Sequence, residues 1–318
     1  IDPPFASGAD YAKKVYLRRN PKVAEVIDLA EQELDMDELK AFEEKMYGDV
    51  WDKEKYLNWM YENLMAIKSV MSETASIYVH LDWHIGHYVK ILLDEVFGED
   101  NFRNEIIWQR ANAHSDSKQG AVHYGRMHDV IFYYALSDES PFNMQYTPYD
   151  QAYIDQYYKN VDPDTGRRYW LDNLQGPGGA SKGNPYYEVM GISRYWRYSR
   201  ERMEQLIAEG RIVQTAPGTV PKYKRYLDEM PGKPVQDMWT DVKSLGGLGS
   251  IVEERNDYAT QKPVALLERI IKASSNEGML VADFFGGSGV TAAVAGKLGR
   301  RVIHWGIGLN SLHATPGR

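Results

Sequence analysis

The sequence predicts an α/β fold in which a mixed, mostly parallel sheet is flanked by helices and interrupted by an inserted lobe. In the first part of the chain, segments rich in strand-forming residues alternate with segments at helical spacing, which is typical of sheets covered on both faces. The same alternation resumes after Pro263, whereas the region between is dense in Tyr, Trp, Pro, Gly and Arg. We therefore divide the chain into residues 1–140, 141–249 and 250–318.

The elements of the first part follow from the spacing of its apolar residues. Two segments at helical spacing come first, and strand-forming and helical segments then alternate. We predict helices over Lys22–Tyr47, about Asp52–Met71 and His84–Gly98, and strands over Ser76–Asp82, Asn104–Arg110 and His128–Leu136. Gly48 and Gly98 are the expected stops of two of these helices.

The last part repeats this pattern, and the middle part contains one clear helix. We predict a helix after Pro263, a strand over Met279–Phe285 and a helix over Val290–Gly299. The helix of the middle part is predicted over Ser199–Gly210.

Composition excludes several classes of protein. The chain of 318 residues has no cysteine, which rules out disulfides, zinc ribbons and thiolate nucleophiles. The covalent route by which a thiolate assists methylation at C5 of cytosine is therefore excluded. No apolar run reaches the roughly 20 residues needed to cross a bilayer, and the N-terminus lacks the order of a signal peptide. We expect a cytoplasmic protein with no membrane partner.

Basic residues concentrate in the middle part, although the net charge of the chain is −8. Between Arg194 and Arg225 there are eight Lys or Arg and three Glu, a local balance of +5. Aromatic side chains are interleaved with the basic ones, which suits contacts with phosphates and bases. The alternative interpretation is a core edge of Trp and Tyr beneath solvated arginines. The candidate nucleic-acid contacts are Arg194, Arg197, Arg200, Lys222, Lys224 and Arg225.

The chain opens with Asp2, Pro3, Pro4 and Phe5, a stiff turn in which neither proline can continue a helix or donate to a sheet. The Asp2 carboxylate and the Pro3 carbonyl can accept both hydrogens of an exocyclic amine, while Phe5 stacks on the ring that carries it. On its own, a turn of this kind is also compatible with a purely structural role.

A glycine-rich turn containing Gly286, Gly287 and Gly289 lies between the predicted strand and helix of the last part. Glycines let a cofactor approach the backbone, and the helix start offers free amides with a partial positive charge. Gly287, Gly289 and Ala292 also fit the spacing of dinucleotide folds, but that fold requires an acid about 20 residues further on. Gly306 stands near that position. A tight turn that binds nothing is the remaining alternative.

The segments IDPPF, YATQKP and DFFGGSG, in that order, resemble the motifs of the β-class DNA amino-methyltransferases. Further segments, among them GDVWDKEKYLNWM, SIYVHLD and ERNDYATQKPVALLERII, make the chain most similar to the modification subunits of type III restriction-modification systems. The resemblance covers nearly the whole chain. It implies the Rossmann-like fold of S-adenosylmethionine-dependent methyltransferases.

The resemblance also implies roles for particular residues. Asp2, Pro3, Pro4 and Phe5 correspond to the catalytic motif. In this family Asp rather than Ser at the first position of the motif favours adenine over N4 of cytosine as the target. Residues 1–140 are then the catalytic half, 141–249 the target-recognition lobe and 250–318 the cofactor-binding half. The implied cofactor residues are Asp283, Phe284, Phe285, Gly287, Ser288, Gly289 and Thr291, together with Thr260, Gln261, Lys262 and Pro263.

The function implied is methyl transfer from S-adenosylmethionine to N6 of an adenine that has been flipped out of double-stranded DNA. Relatives of this kind work as homodimers and with a restriction subunit, so both partners are expected by resemblance. Three alternatives stay open: an N4-cytosine DNA methyltransferase, an inactive DNA-binding remnant, and a methyltransferase acting on RNA or on a protein amide.

Four features depart from the family pattern. The apolar residues that usually precede the catalytic turn are missing before Ile1, and Ala75 stands where a turn glycine is usual. Gly306 replaces the acid that binds the ribose hydroxyls, and the chain ends at Arg318 before the remaining cofactor motif. We therefore expect a chain shortened at both ends relative to the family.

A cluster of His80, Asp82, His84 and His87 raises the alternative of a metal site at the junction of a strand and a helix. Histidines at such junctions more often cap or form hydrogen bonds, and the implied chemistry requires no metal. We predict that no metal is bound.

Overall fold

The computed structural model describes residues 1–5, 10–13, 44–48, 53–111, 122–245 and 261–306, with residues 10–13 and 44–48 described by their backbone alone. The chain divides into two compact units. The larger comprises Ile1–Gln145 with Gln236–Arg318, and the smaller is Tyr146–Val235. The smaller unit covers a shorter stretch of the chain than the predicted lobe of residues 141–249.

The helices and strands are numbered in chain order. The helices are α1 (Lys53–Val70), α2 (Gly86–Phe97), α3 (Gln151–Tyr157), α4 (Arg200–Ala208), α5 (Val264–Ser274) and α6 (Val290–Lys297). The strands are β1 (Asp10–Lys13), β2 (Glu44–Gly48), β3 (Ser76–Leu81), β4 (Phe102–Gln109), β5 (His128–Ala135), β6 (Tyr146–Thr147), β7 (Asn160–Val161), β8 (Arg168–Asn173), β9 (Tyr186–Val189), β10 (Ile192–Tyr195), β11 (Ile212–Val213), β12 (Lys222–Tyr226), β13 (Lys233–Pro234), β14 (Met238–Trp239), β15 (Leu280–Asp283) and β16 (Arg301–His304).

The larger unit contains a four-stranded sheet in the order β14-β4-β5-β3. Strand β14 is parallel to β4, whereas β4 and β3 both pair with β5 in antiparallel fashion. Strands β15 and β16 form a parallel pair. The mixed sheet of the prediction is confirmed. Met238–Trp239 also belongs to this sheet, although residues 141–249 were expected to add no strand to it. The prediction missed this strand because it pairs with a segment about 130 residues away, and such pairing cannot be read from local sequence.

One predicted helix is wrong at its end. Glu44–Gly48 forms a strand that pairs with Asp10–Lys13, whereas helical spacing had been extended to Tyr47. In this antiparallel ladder the backbone groups of Glu44–Gly48 form hydrogen bonds with a distant segment. The spacing of apolar residues within one segment does not reveal such pairing. The rest of the predicted helix over Lys22–Tyr47 lies outside the described residues.

The core of the larger unit is built from α1, α2 and the strands between them. Helix α1 buries Tyr56, Met60, Leu64 and Ile67, a stripe at helical spacing that faces the sheet. Helix α2 contributes Val89, Leu93, Val96 and Phe97 to the same cluster. Gly98 ends α2 with a φ of 93°, which favours glycine. The predicted helices over Asp52–Met71, His84–Gly98, after Pro263 and over Val290–Gly299 are confirmed, as are the strands near residues 76, 104, 128 and 279.

The smaller unit has its own four-stranded sheet in the order β11-β12-β8-β7 and a hairpin of β9 and β10. Its core is centred on Trp196, which is fully buried and donates its indole N–H to the Tyr187 carbonyl. Helix α4 is the one predicted over Ser199–Gly210, and the Ser199 hydroxyl accepts the Arg202 amide as its N-cap.

Across the part of the chain that the structure describes, no helix combines the length and apolar character needed to cross a membrane.

Candidate functional site

A cavity of about 590 Å³ in the larger unit is lined by residues from both ends of the chain. Ile1 and Asp2 contribute from the opening, and Gly286, Gly287 and Ser288 from the glycine-rich turn. The cavity also contacts β3, α5 and β15. Asp2 and the glycine turn therefore line one cavity, whereas Pro3, Pro4 and Phe5 are not among its lining residues.

The opening residues are held against β3 by backbone hydrogen bonds. The Ile1 amino group donates to the Tyr78 carbonyl at 2.8 Å, and the His80 amide donates to the Ile1 carbonyl at 3.1 Å. This spacing is that of a parallel ladder, so Asp2 emerges at the carboxyl end of β3. The Tyr56 hydroxyl donates to the Pro4 carbonyl at 2.6 Å and fixes the second proline.

The Asp2 carboxylate is engaged at both oxygens. His80 Nδ1 lies 2.6 Å from Oδ1, and Lys262 Nζ lies 2.6 Å from Oδ2. Burial by itself raises the pKa of Asp2, but the positive charge of Lys262 and the contact with His80 outweigh it. The pKa of Asp2 is thereby held well below its usual range, and the carboxylate is ionised at neutral pH.

Sequence reasoning missed His80 as the partner of Asp2 and weighed it only as a metal ligand. Its position on a predicted strand, in a chain with a second predicted strand whose second residue is Asp129, was the available signal. His84 contacts the Asp82 carboxylate and donates its backbone amide to it at 2.9 Å, so this pair caps the turn after β3. No group of three or more His, Asp or Glu among the described residues is placed to hold a metal.

The glycine-rich turn joins β15 to α6 in a conformation that needs glycine. Gly287 and Gly289 have φ values of 48° and 79°, and Gly289 is the N-cap of α6. A Cβ at Gly286 would overlap the His304 ring. The backbone can therefore be approached closely at the start of α6, where amides carry a partial positive charge.

Two of the predicted cofactor residues are bonded to each other. The Thr291 hydroxyl donates to Asp283 Oδ2 at 2.6 Å, and the Phe285 amide donates to Asp283 Oδ1 at 3.1 Å. Phe285 also packs its ring edge-on against Trp59. Asp283 and Thr291 thus shape the turn, and both still line the cavity.

The residues that line the cavity fit the cofactor implied by the resemblance. Phe284, Gly286, Gly287 and Ser288 would hold it from the turn, and Lys262, which pairs with Asp2, also lines the cavity. Apolar side chains of α5 and β15, which make up much of the remaining lining, would contact the adenine ring of this cofactor, while Asp283, Ser288 and the turn amides would serve its polar groups. Of the predicted segment at residues 260–263, Gln261, Lys262 and Pro263 are described, and Thr260 lies outside the described residues.

The six predicted nucleic-acid contacts have different surroundings. Lys224 Nζ bonds to Asp162 at 2.7 Å and Arg225 bonds to Asp172 at 2.6 Å, so both are held in ion pairs within the smaller unit. Among the other four, Arg194 donates to Gln175 at 3.3 Å and Arg197 is 3.5 Å from Asp172. Arg200 lies over the Tyr187 ring, and Lys222 is half-buried.

Comparison with known proteins gives a consistent result. A family model described as DNA methylase matches residues 1–311. The chain is 27% identical over 308 residues to the type III restriction-modification enzyme StyLTI Mod subunit of Salmonella typhimurium, covering 92% of this chain and 45% of that protein. It is 27% identical over 263 residues to the type II methyltransferase M.EcaI of Enterobacter cloacae, covering 82% and 56% respectively. The chain thus spans about half the length of these relatives.

A third relative is the DNA adenine methyltransferase YhdJ of Escherichia coli, with 24% identity over 270 residues, 85% of this chain and 68% of that protein. Among solved structures, the M1.HpyAVI–SAM complex matches 83% of this chain and 81% of that chain with 15% identity and a TM-score of 0.42.

Proposed function

The chain belongs to the N6/N4 family of DNA methylases, and from this premise we propose that it transfers a methyl group from S-adenosylmethionine to N6 of an adenine flipped out of double-stranded DNA. The observation that carries the proposal is that the ionised Asp2 and the glycine turn at Gly286–Ser288 line one cavity. An amine acceptor and a place for a cofactor therefore lie within reach of the same substrate.

The chemistry of Asp2 defines its role. Because Lys262 and His80 hold its pKa low, the Asp2 carboxylate stays ionised and is a weak base. Asp2 therefore orients the amine and draws its hydrogens out of the ring plane, and it does not remove a proton before the transfer. Phe5 contacts His80 edge-on and lies beneath Lys262 Nζ, 5.4 Å from its ring centroid, and its proposed role is to stack on the flipped base.

When bound, S-adenosylmethionine supplies a methyl group on a sulfonium. That methyl group would pass to the amine nitrogen with the neutral thioether as the leaving group, and the nitrogen, oriented by Asp2, would release one proton to solvent. The protein contributes alignment, which by effective-molarity arguments supplies about 7 to 11 kcal/mol of barrier reduction. Lys262 occupies Oδ2 of Asp2, so the incoming amine has to displace or share this contact.

The smaller unit supports a role in target recognition. Arg194, Arg197 and Arg200 lie on its exposed or loosely paired surface, where guanidinium groups reach phosphates or base edges. Lys224 and Arg225 are better suited to holding the lobe's sheet together, because each is paired with a carboxylate of that unit. The name of the Salmonella relative supports a restriction subunit as a partner, and a homodimer is proposed with it.

The test is tritiated methyl transfer to mixed-sequence DNA, followed by mass spectrometry of the nucleosides. The proposal predicts N6-methyladenine from the unaltered protein and from Asp138→Ala, a matched control whose side chain is 94% exposed. Asp2→Ala is expected to abolish transfer. N4-methylcytosine as the product would overturn the adenine assignment, and DNA binding without cofactor binding in calorimetry would indicate an inactive remnant.

A further inference from the structure

We infer that His80 is a positioning residue that fixes the Asp2 carboxylate for methyl transfer by linking it to a buried anchor, Asp129, on the neighbouring strand. This inference rests on the proposed function and names a residue that acts through Asp2. His80 also places the Phe5 ring, so one side chain aligns both the amine acceptor and the stacking surface.

The contacts of the His80 ring account for both of its nitrogens. Nδ1 lies 2.6 Å from Oδ1 of Asp2, and Nε2 lies 3.2 Å from Oδ2 of Asp129. The other oxygen of Asp129 accepts Arg110 Nε at 2.7 Å. The result is a continuous chain of hydrogen bonds from Asp2 through His80 and Asp129 to Arg110.

The register of the sheet explains why these residues meet. His80 pairs with Ile131 on β5, so Asp129 is its diagonal neighbour on the same face. Trp108 on β4 pairs with Asp129 on β5, and its ring centroid lies 5.6 Å from that of His80. Arg110 lies two residues after Trp108, directly past the end of β4. The anchor is therefore built on three adjacent strands, which hold side chains more rigidly than loops do.

The surroundings of His80 favour a positioning role over a surface contact. Its side chain is 7% exposed and that of Asp129 is 4% exposed. Phe5 meets the ring edge-on at 5.2 Å while Trp108 contacts it from elsewhere, so the imidazole cannot rotate without disturbing the catalytic turn. Burial by itself raises the pKa of Asp129, but His80 and Arg110 outweigh it and hold the pKa below its usual range. The anchor is thus charged.

Lys262 cannot replace His80 in this role. An ammonium group on a flexible four-carbon stem attracts the Asp2 carboxylate as a point charge and does not set its direction. An imidazole clamped between two carboxylates gives Asp2 one preferred orientation, and a shift of about 1 Å at a reacting group can cost about 100-fold in rate.

Two substitutions separate the two hydrogen bonds of the ring. In His80→Asn the amide nitrogen occupies roughly the place of Nδ1 and can still donate to Asp2, whereas in His80→Gln it occupies roughly the place of Nε2 and donates to Asp129. The matched control is His87→Gln, on the exposed face of α2. For each variant, kcat and the KM values for S-adenosylmethionine and DNA are measured, with the thermal unfolding midpoint as a check on folding.

We expect kcat to fall about 100-fold in His80→Gln and no more than about tenfold in His80→Asn, with KM values close to those of the unaltered protein. His87→Gln is expected to match the unaltered protein. Equal losses in the two His80 variants, or a smaller loss in His80→Gln, would overturn the inference. If neither His80 variant folds, Asp129→Asn decides instead: about a tenfold lower kcat supports the anchor, and an unchanged kcat refutes it.

A second measurement does not depend on DNA methylation. The carboxyl carbon of Asp2 is followed by NMR in aspartate-labelled protein during an acid titration. The inference predicts that Asp2 titrates at a higher pH in His80→Gln than in His80→Asn, and identical titrations contradict it. If the unaltered protein transfers no methyl group to DNA, the proposed function fails, while this titration still tests the link between His80 and Asp2.

Discussion

Replacing Asp2 by Asn gives the sharpest test of the catalytic turn. The carboxylate accepts from His80 through one oxygen and from Lys262 through the other, both at 2.6 Å. Asparagine keeps one acceptor oxygen and turns a donor towards the second partner, so one charge-assisted contact is lost. Such a contact is worth about 1.5 to 3 kcal/mol, which corresponds to about a 10- to 150-fold change in rate.

We therefore expect Asp2→Asn to lower kcat by about one to two decades and to leave the affinity for S-adenosylmethionine within about threefold. Initial rates of tritiated methyl transfer and calorimetric titration of the cofactor measure the two quantities. Asp138→Asn, at a side chain that is 94% exposed, is the matched control. A variant with the full kcat would refute the role of Asp2 as the amine acceptor.

The same substitution has a signature in the pH dependence of stability. Asp2 has a pKa below its ordinary value of 3.8 in the folded protein, because Lys262 and His80 outweigh the effect of burial. Its contribution to the free energy of unfolding is present above about pH 4 and is lost as the pH falls through the lower folded pKa. The stability difference between the unaltered protein and Asp2→Asn should be constant from about pH 5 to 8 and shrink below pH 4. A difference that grows on acidification would contradict this sign.

Three further changes test the cofactor turn and the smaller unit. Gly286→Ala should abolish cofactor binding in calorimetry because the added Cβ meets the His304 ring. Gly296→Ala, whose added Cβ would have no atom within 4 Å, should bind the cofactor normally. Equal binding by the two variants would argue against a tightly built turn. Trp196→Ala should destabilise the fully buried core of the smaller unit by about 3 to 5 kcal/mol in denaturant unfolding, and a loss under 1 kcal/mol would show that this core is not cooperative. Arg200→Glu should weaken DNA binding and reduce the salt slope by about 1, and an unchanged slope would remove Arg200 from the interface.

Most of the long helices and strands of the larger unit could be predicted from the sequence because periodicity is a local property, whereas helix α3 and the strands of the smaller unit were not predicted. The buried stripe of α1, the Gly98 stop of α2 and the Ser199 cap of α4 each depend on residues within a few positions of one another. Glu44–Gly48 and Met238–Trp239 were not predicted as strands. Both are short, and each pairs with a segment far away in the chain, so their identity depends on contacts that periodicity does not contain.

The candidate site divides in the same way. The turns at Asp2–Phe5 and Gly286–Gly289 were singled out from the backbone properties of proline and glycine, and the resemblance to the β-class methyltransferases implied their proposed roles. That Asp283 and Thr291 bond to each other, and that Lys224 and Arg225 are tied to carboxylates, came only from the structure.

The sequence by itself determined the two turns, their order along the chain and the helices and strands that carry them, because these depend on the backbone preferences of neighbouring residues. Only the tertiary structure decided which groups surround Asp2. His80 lies 78 residues from Asp2 in the chain, and Asp129 a further 49 from His80. Strand register brings them onto one face of the sheet, and register depends on pairing between distant segments.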